Sequence, residues 1–134
     1  MAYRDLKIAV VDDEKQITDL YSVILPKLGY ANPSVFNDGS SLVTSLIMDH
    51  HSFDVILMDY RMREMNGIEA AKILKRYRKD TKIVIVTSYD FVKEGAKAMG
   101  LPFLAKPFSM AQLRECLENI HSPIQSPNPP NQSS

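Results

Sequence analysis

Five side chains bearing oxygen or nitrogen stand where apolar runs stop. Asp12 and Asp13 close "KIAVVDD" (7–13), Asp59 closes "DVILMD" (54–59), Thr87 falls in "KIVIVTS" (82–88), and Lys106 follows "FLA" (103–105). Three carboxylates brought close together repel one another and resist ionising together. A cation relieves that repulsion, and an all-oxygen donor set suits a hard ion such as Mg²⁺. An ammonium and a hydroxyl beside such a cluster can hold an anionic group with several oxygens, which describes a phosphoryl group. Taken singly, most of these residues have an ordinary structural reading. Asp12 or Asp13 would cap a helix starting near Glu14, Thr87 would be a strand-end turn residue, and Lys106 a solvated charge before Pro107. Only for Asp59, which ends the apolar run Val55 to Met58, is the functional reading favoured on its own. Five coincidences at four strand ends argue for one shared site.

The elements must bring those ends together. Near-continuous apolar runs, as opposed to alternating ones, predict strands covered on both faces, as in a parallel sheet. "PSVF" (33–36) and "FLA" (103–105) read as shorter strands. Between the strands lie helical patterns. Ile17, Leu20, Tyr21, Ile24 and Leu28 follow helical spacing, with Pro26 expected to kink or shorten the last turn and Gly29 to stop it. Leu42, Val43, Leu46 and Ile47 mark a second helix. Ile68, Ala71, Leu74 and Tyr77 mark a third that begins near Gly67, and Phe91, Gly95, Ala98 and Met99 a weaker fourth. Leu113, Leu117 and Ile120 line a fifth, and Ser109 and Gln112 have capping-box spacing at its start. Five β-α repeats predict a doubly wound α/β sandwich. In such sheets all strand C-termini face one edge, where ligands bind.

Composition sets outer limits. The 134 residues suffice for one well-buried domain, and 45% hydrophobic with 24% charged residues is ordinary for a globular chain. Sixteen basic and sixteen acidic residues balance, so the basic footprint of a direct nucleic-acid binder is missing. No apolar run is long enough to span a bilayer and no signal peptide is apparent, so no membrane partner is expected. The single cysteine, Cys116, has no internal partner, which fits a reducing, cytoplasmic setting; it reads as a small hydrophobe on a helix face. His50 and His51 fall at a helix end and His121 opens the tail, and all three read as solvent-exposed capping residues, not as ligands. From His121 onward "HSPIQSPNPPNQSS" holds four of the eight prolines, and we read 121–134 as a disordered Pro/Ser-rich tail or linker outside the core at 1–120.

The motifs "VVDDE" (10–14), "ILMDYRMREMNG" (56–67), "IVTS" (85–88) and "FLAKPF" (103–108), in this order and at these separations, resemble the receiver domain of two-component response regulators across residues 5 to 120. The resemblance implies a flavodoxin-like (βα)5 sandwich, its five-stranded parallel sheet ordered 2-1-3-4-5. It implies that Asp59 is the phosphoacceptor, that Asp12, Asp13, Asp59 and the backbone carbonyl of Arg61 hold Mg²⁺, and that Thr87 and Lys106 bind phosphoryl oxygens. Thr87 and Phe103 would form the switch, and Arg61 and Tyr89 would border the pocket and set the lifetime of the phosphate. The implied donor is a histidine kinase or histidine phosphotransfer protein. The implied recipient is a downstream protein on the face of helix four, strand five and helix five, with the chain a monomer or a phosphorylation-dependent dimer. A cis Lys106–Pro107 bond is expected, since X-Pro bonds carry a small cis penalty and the turn must aim Lys106 into the pocket.

Three features depart from the commonest pattern. Arg63 stands where proline is frequent, which predicts a less rigid loop after Asp59. Phe103 stands where tyrosine is more usual and lacks its hydroxyl, and Arg61 and Tyr89 are bulky. Alternative readings are a receiver segment of a larger response regulator or hybrid kinase, or an unphosphorylated scaffold. An aspartyl-phosphate phosphatase would need a second aspartate two residues after the nucleophile, where Arg61 stands, so the chain reads as a switch and not an enzyme beyond self-catalysed transfer and dephosphorylation.

Overall fold

The computed structural model describes residues 5–121. Five strands, β1 (Ile8–Val11), β2 (Ser34–Phe36), β3 (Val55–Asp59), β4 (Lys82–Thr87) and β5 (Phe103–Ala105), form one sheet ordered β2-β1-β3-β4-β5. Every pairing is parallel. The intervening helices are α1 (Lys15–Lys27), α2 (Gly39–Ile47), α3 (Gly67–Tyr77), α4 (Asp90–Ala98) and α5 (Met110–His121). This is the doubly wound (βα)5 sandwich that the alternation predicts. The Pro/Ser-rich stretch from Ser122 on lies outside the described residues, while His121 closes α5.

The continuous apolar runs divide between two cores because successive strand residues point to opposite faces. Ala9, Val11, Ile56, Met58, Ile83 and Ile85 pack under α2, α3 and α4 through Leu42, Leu46, Ala71, Leu74, Val92 and Ala96. Ile8, Val10, Val55, Leu57, Val84 and Val86 meet Tyr21 and Leu25 of α1 and Leu113 and Leu117 of α5 on the other face. Both faces of β3 are therefore dry, and its polar end emerges only at the sheet's C-terminal edge.

Several helix faces differ from the spacing-based expectation. α4 buries Val92 and Ala96, while Phe91 is 68% exposed and Ala98 is also exposed. Phe91 instead packs edge-on to Tyr60 and against Tyr89, so its ring covers the surface beside the sheet edge. Tyr77 and Leu20 are exposed rather than core residues of α3 and α1. Pro26 lies inside α1, which stops one residue later at Lys27, and Gly29 takes φ +97° just past the cap. The capping box at α5 is present, with Ser109 N–H donating to Gln112 Oε1 (2.8 Å) and Gln112 N–H to Ser109 Oγ (3.0 Å).

Candidate functional site

β1, β3, β4 and β5 deliver Asp12, Asp59, Thr87 and Lys106 to one edge, and Asp13 follows Asp12 there. Main-chain bonds fix the delivery. Asp12 N–H donates to Phe36 O (3.1 Å), Tyr60 N–H to Val86 O (3.0 Å) and Lys106 N–H to Thr87 O (2.9 Å). Asp12 and Asp59 are 1% and 7% exposed and Thr87 2%, while Asp13 is open to solvent. One carboxylate oxygen from each of Asp12, Asp13 and Asp59 can lie within 4.8 Å of the others. A pocket of about 350 Å³ opens above them, bordered by Arg61, Thr87, Tyr89 and Lys106.

Lys106 Nζ bridges the two buried carboxylates, at 2.9 Å from Asp12 Oδ2 and 2.6 Å from Asp59 Oδ1. Asp12 does not cap α1 in the usual way; its Oδ1 accepts from Glu14 N–H (2.9 Å), which orients the carboxylate toward Lys106. Burial pushes the Asp59 carboxyl up to about 6, the Lys106 hydrogen bond opposes this, and the Asp12 and Asp13 charges add to the rise. Burial alone would lower the Lys106 ammonium, but its hydrogen bonds to Asp59 and Asp12 overcome that and hold it above the ordinary lysine value. Three carboxylates face one ammonium, so with all of them ionised the cluster is two positive charges short of balance. Its donor set is all oxygen, partly open, and short of positive charge, which fits a hard divalent cation. The Thr87 hydroxyl accepts from Tyr89 N–H (3.1 Å), leaving its own proton to offer to an oxyanion.

The loop after Asp59 holds further residues. Arg61 Nη1 donates to the Tyr89 hydroxyl (2.5 Å), and its guanidinium carbon lies 6.0 Å from the centre of that ring, so the two bulky residues meet at the pocket mouth. The Lys106–Pro107 peptide is cis, as expected. Asn66 caps α3 in a full capping box with Glu69, a signal that the sequence carries as Asn-x-x-Glu just ahead of Gly67. His50 and His51 do not border this pocket, and His51 Nδ1 pairs instead with the Ser45 hydroxyl (2.7 Å).

Residues 8–118 match the family model described as the response regulator receiver domain. The chain belongs to that family. This receiver domain is 28% identical over 123 residues to sporulation initiation phosphotransferase F of Bacillus subtilis, covering 90% of this chain and 96% of that protein. It is 31% identical over 110 residues to regulatory protein AtoC of Escherichia coli, where the match takes in 80% of this chain but only 23% of AtoC. The chain thus spans about a quarter of the length of that relative. Among solved structures, chemotaxis protein CheY4 of Vibrio cholerae superposes with a TM-score of 0.76 at 29% identity, over 86% of this chain and 98% of CheY4. The receiver domain of Francisella response regulator 1452 gives a TM-score of 0.77 at 26% identity, over 87% and 97%. Receiver domains are signalling domains, and the acidic pocket is consistent with Mg²⁺ binding and aspartyl phosphorylation. No helix among the described residues is long and apolar enough to cross a membrane.

Proposed function

We propose that this receiver domain accepts a phosphoryl group on Asp59 from a histidine kinase or a histidine phosphotransfer protein. The observation that carries the reading is the Asp59 carboxylate, buried at the end of β3, held 2.6 Å from the Lys106 ammonium and beside two further aspartates. In the transfer an Asp59 oxygen attacks phosphorus in line with the departing imidazole, forming an O–P bond as the P–N bond breaks. Lys106, already seated between Asp59 and Asp12, stays beside the incoming charge. The Thr87 hydroxyl donates to a phosphoryl oxygen. Asp12, Asp13, Asp59 and the Arg61 carbonyl would hold Mg²⁺, which when bound supplies positive charge to the phosphoryl oxygens and keeps Asp59 ionised. Similarity to a protein named sporulation initiation phosphotransferase F supports phosphotransfer partners.

The output reading is a face built from α4, β5 and α5. β5 is one of the two edge strands, and a groove of about 560 Å³ runs between it and α5, bordered by Phe103, Ala105, Cys116 and Ile120. Phosphorylation draws Thr87 toward the pocket, and the half-buried Phe103 ring shifts into the space behind it, changing what a downstream protein meets. The domain proper is read as 1–120, with the remainder a linker or tail, and the domain is read as acting as a monomer or a phosphorylation-dependent dimer.

Incubation with acetyl phosphate and Mg²⁺ tests the assignment. The wild-type chain should take up one acid-labile phosphoryl group, and Asp59→Asn should take up none while remaining folded. Stoichiometric label on the variant would reject Asp59.

A further inference from the structure

The loop between β3 and α3 leaves the sheet and returns to nearly the same place. Tyr60 N–H is bonded to β4, and Tyr60 O accepts from Gly67 N–H (2.7 Å), so the base of the excursion 61–66 is pinned. Its apex has no proline to stiffen it. Arg63 O instead accepts from Met65 N–H (2.8 Å) across a tight turn, and Glu64 sits at φ +75°, a conformation unfavourable for a residue with a side chain. Such a turn persists only where its surroundings hold it.

The holding surface is the first turn of α2. Ser40 Oγ donates to Glu64 Oε1 at 2.8 Å. At Gly39 even a single added carbon would sit 3.1 Å from Met65 Cγ and 3.4 Å from Met62 Cε, so the loop's two methionines close over that glycine. Asp38, which caps α2 by accepting from Ser41 N–H (2.7 Å), lies near enough to Arg63 to feel its charge. Three successive residues of the β2–α2 corner therefore meet residues 62 to 65. The same corner bonds Asp12 through Phe36 O.

We propose that Gly39, Ser40 and Glu64 form a latch through which the β2–α2 corner positions the main chain of loop 61–66, and with it the Arg61 carbonyl, for a divalent cation. Ser40 and Glu64 are positioning residues, acting through the loop and not on the ion. The cation half of this inference rests on the functional reading above; the loop half does not.

The test uses the full chain and two variants. Ser40→Ala removes the donor at a helical site where alanine is well tolerated. Glu64→Gln removes the charge but keeps an acceptor for the Ser40 hydroxyl. Amide hydrogen exchange of Met65 and Gly67 in metal-free protein reports the latch, and calorimetric titration with MgCl2 reports the site. In Ser40→Ala exchange should quicken and Mg²⁺ affinity should fall about tenfold, the low end for loss of an outer-shell partner. Glu64→Gln should match wild type in both. Unchanged exchange in Ser40→Ala overturns the latch. Quickened exchange with unchanged affinity overturns its link to the cation. A loss of affinity in Glu64→Gln equal to that in Ser40→Ala assigns the effect to charge and also overturns it. If the wild-type chain binds no Mg²⁺, the functional reading fails, and with it the cation half, while exchange still decides the loop half.

Discussion

Gly67 and Asp59 touch through their main chains: a Cβ placed on Gly67 would lie 2.5 Å from the Asp59 carbonyl oxygen and 3.1 Å from Tyr60 Cα. No side-chain rotation relieves that overlap, because both obstacles are backbone. The close approach lets α3 start directly beneath the end of β3, which fixes where the Asp59 side chain emerges. Gly67→Ala would gain up to about 1 kcal/mol in helix propensity, but the overlap costs about 1–3 kcal/mol or more. The variant should therefore melt several degrees lower than wild type, and it should take phosphoryl groups from acetyl phosphate more slowly because Asp59 shifts. Melting by circular dichroism and a phosphorylation time course check both. An alanine variant with unaltered midpoint and rate would contradict the contact.

Asp59 is also expected to weaken the metal-free fold. Burial, opposed by Lys106 and reinforced by Asp12 and Asp13, holds its folded-state pKa at about 6, whereas an unfolded chain titrates near about 4. Between those values the folded state binds the proton and the unfolded state does not, so stability falls as pH rises through the window and stays low above it. Asp59→Asn keeps an oxygen for Lys106 and has no charge to lose. In chelator at pH 7 it should melt a few degrees above wild type, and the gap should close below about pH 4. Excess Mg²⁺ should raise the wild-type midpoint more than that of the variant. A gap independent of pH would show that the charge is not its source.

Phe103 offers a test of the output face. Its ring is half-buried against the cluster under α4, and its residue pairs with Ile85 of β4. With no hydroxyl to bond, the coupling to Thr87 proposed above would have to run through packing. Phe103→Tyr should keep the preference of a downstream partner for the phosphorylated chain. Phe103→Ala should cost on the order of 2 kcal/mol in stability, less than a fully buried ring would, and should reduce that preference. Affinities for the two forms measured by calorimetry decide it, and equal preference in the alanine variant would move the switch elsewhere.

The strand ends were legible because a charge after four apolar residues is costly unless a site receives it. Which face of each helix is buried was harder to read. α4 is nine residues long, and helical spacing puts Phe91 on the same face as Gly95 and Ala98, whereas its ring lies against Tyr60 and Tyr89 at the surface. Turning that helix by one residue exchanges Phe91 for Val92, and spacing alone cannot choose between them. The site's residue types were likewise visible, while its wiring was not. The Lys106 bridge joins positions 47 and 94 residues apart, and the Ser40–Glu64 bond joins two polar surface residues with no periodic signal.

The phosphorylated state should be long-lived. Hydrolysis needs a water in line with the Asp59–phosphorus bond on the open side of the pocket. Arg61 and Tyr89 border that side and are bonded to each other, and Tyr89 is further braced by Phe91, with ring centres 5.5 Å apart. Two effects compete. A guanidinium near the phosphoryl group could stabilise the transition state and speed hydrolysis, as arginine fingers do. Here one of its N–H groups is engaged by Tyr89, which tethers it across the mouth, and neither residue supplies a base or amide to orient water. Shielding should win. Replacing the pair, Arg61→Asn with Tyr89→Glu, removes the tether and introduces groups that can position water. Loss of phosphate from the double variant should be about tenfold faster, equivalent to roughly 1.4 kcal/mol of barrier. Decay is followed at matched Mg²⁺ and pH without a phosphatase. Equal or slower decay in the double variant would mean that the Arg61–Tyr89 pair does not guard the phosphate.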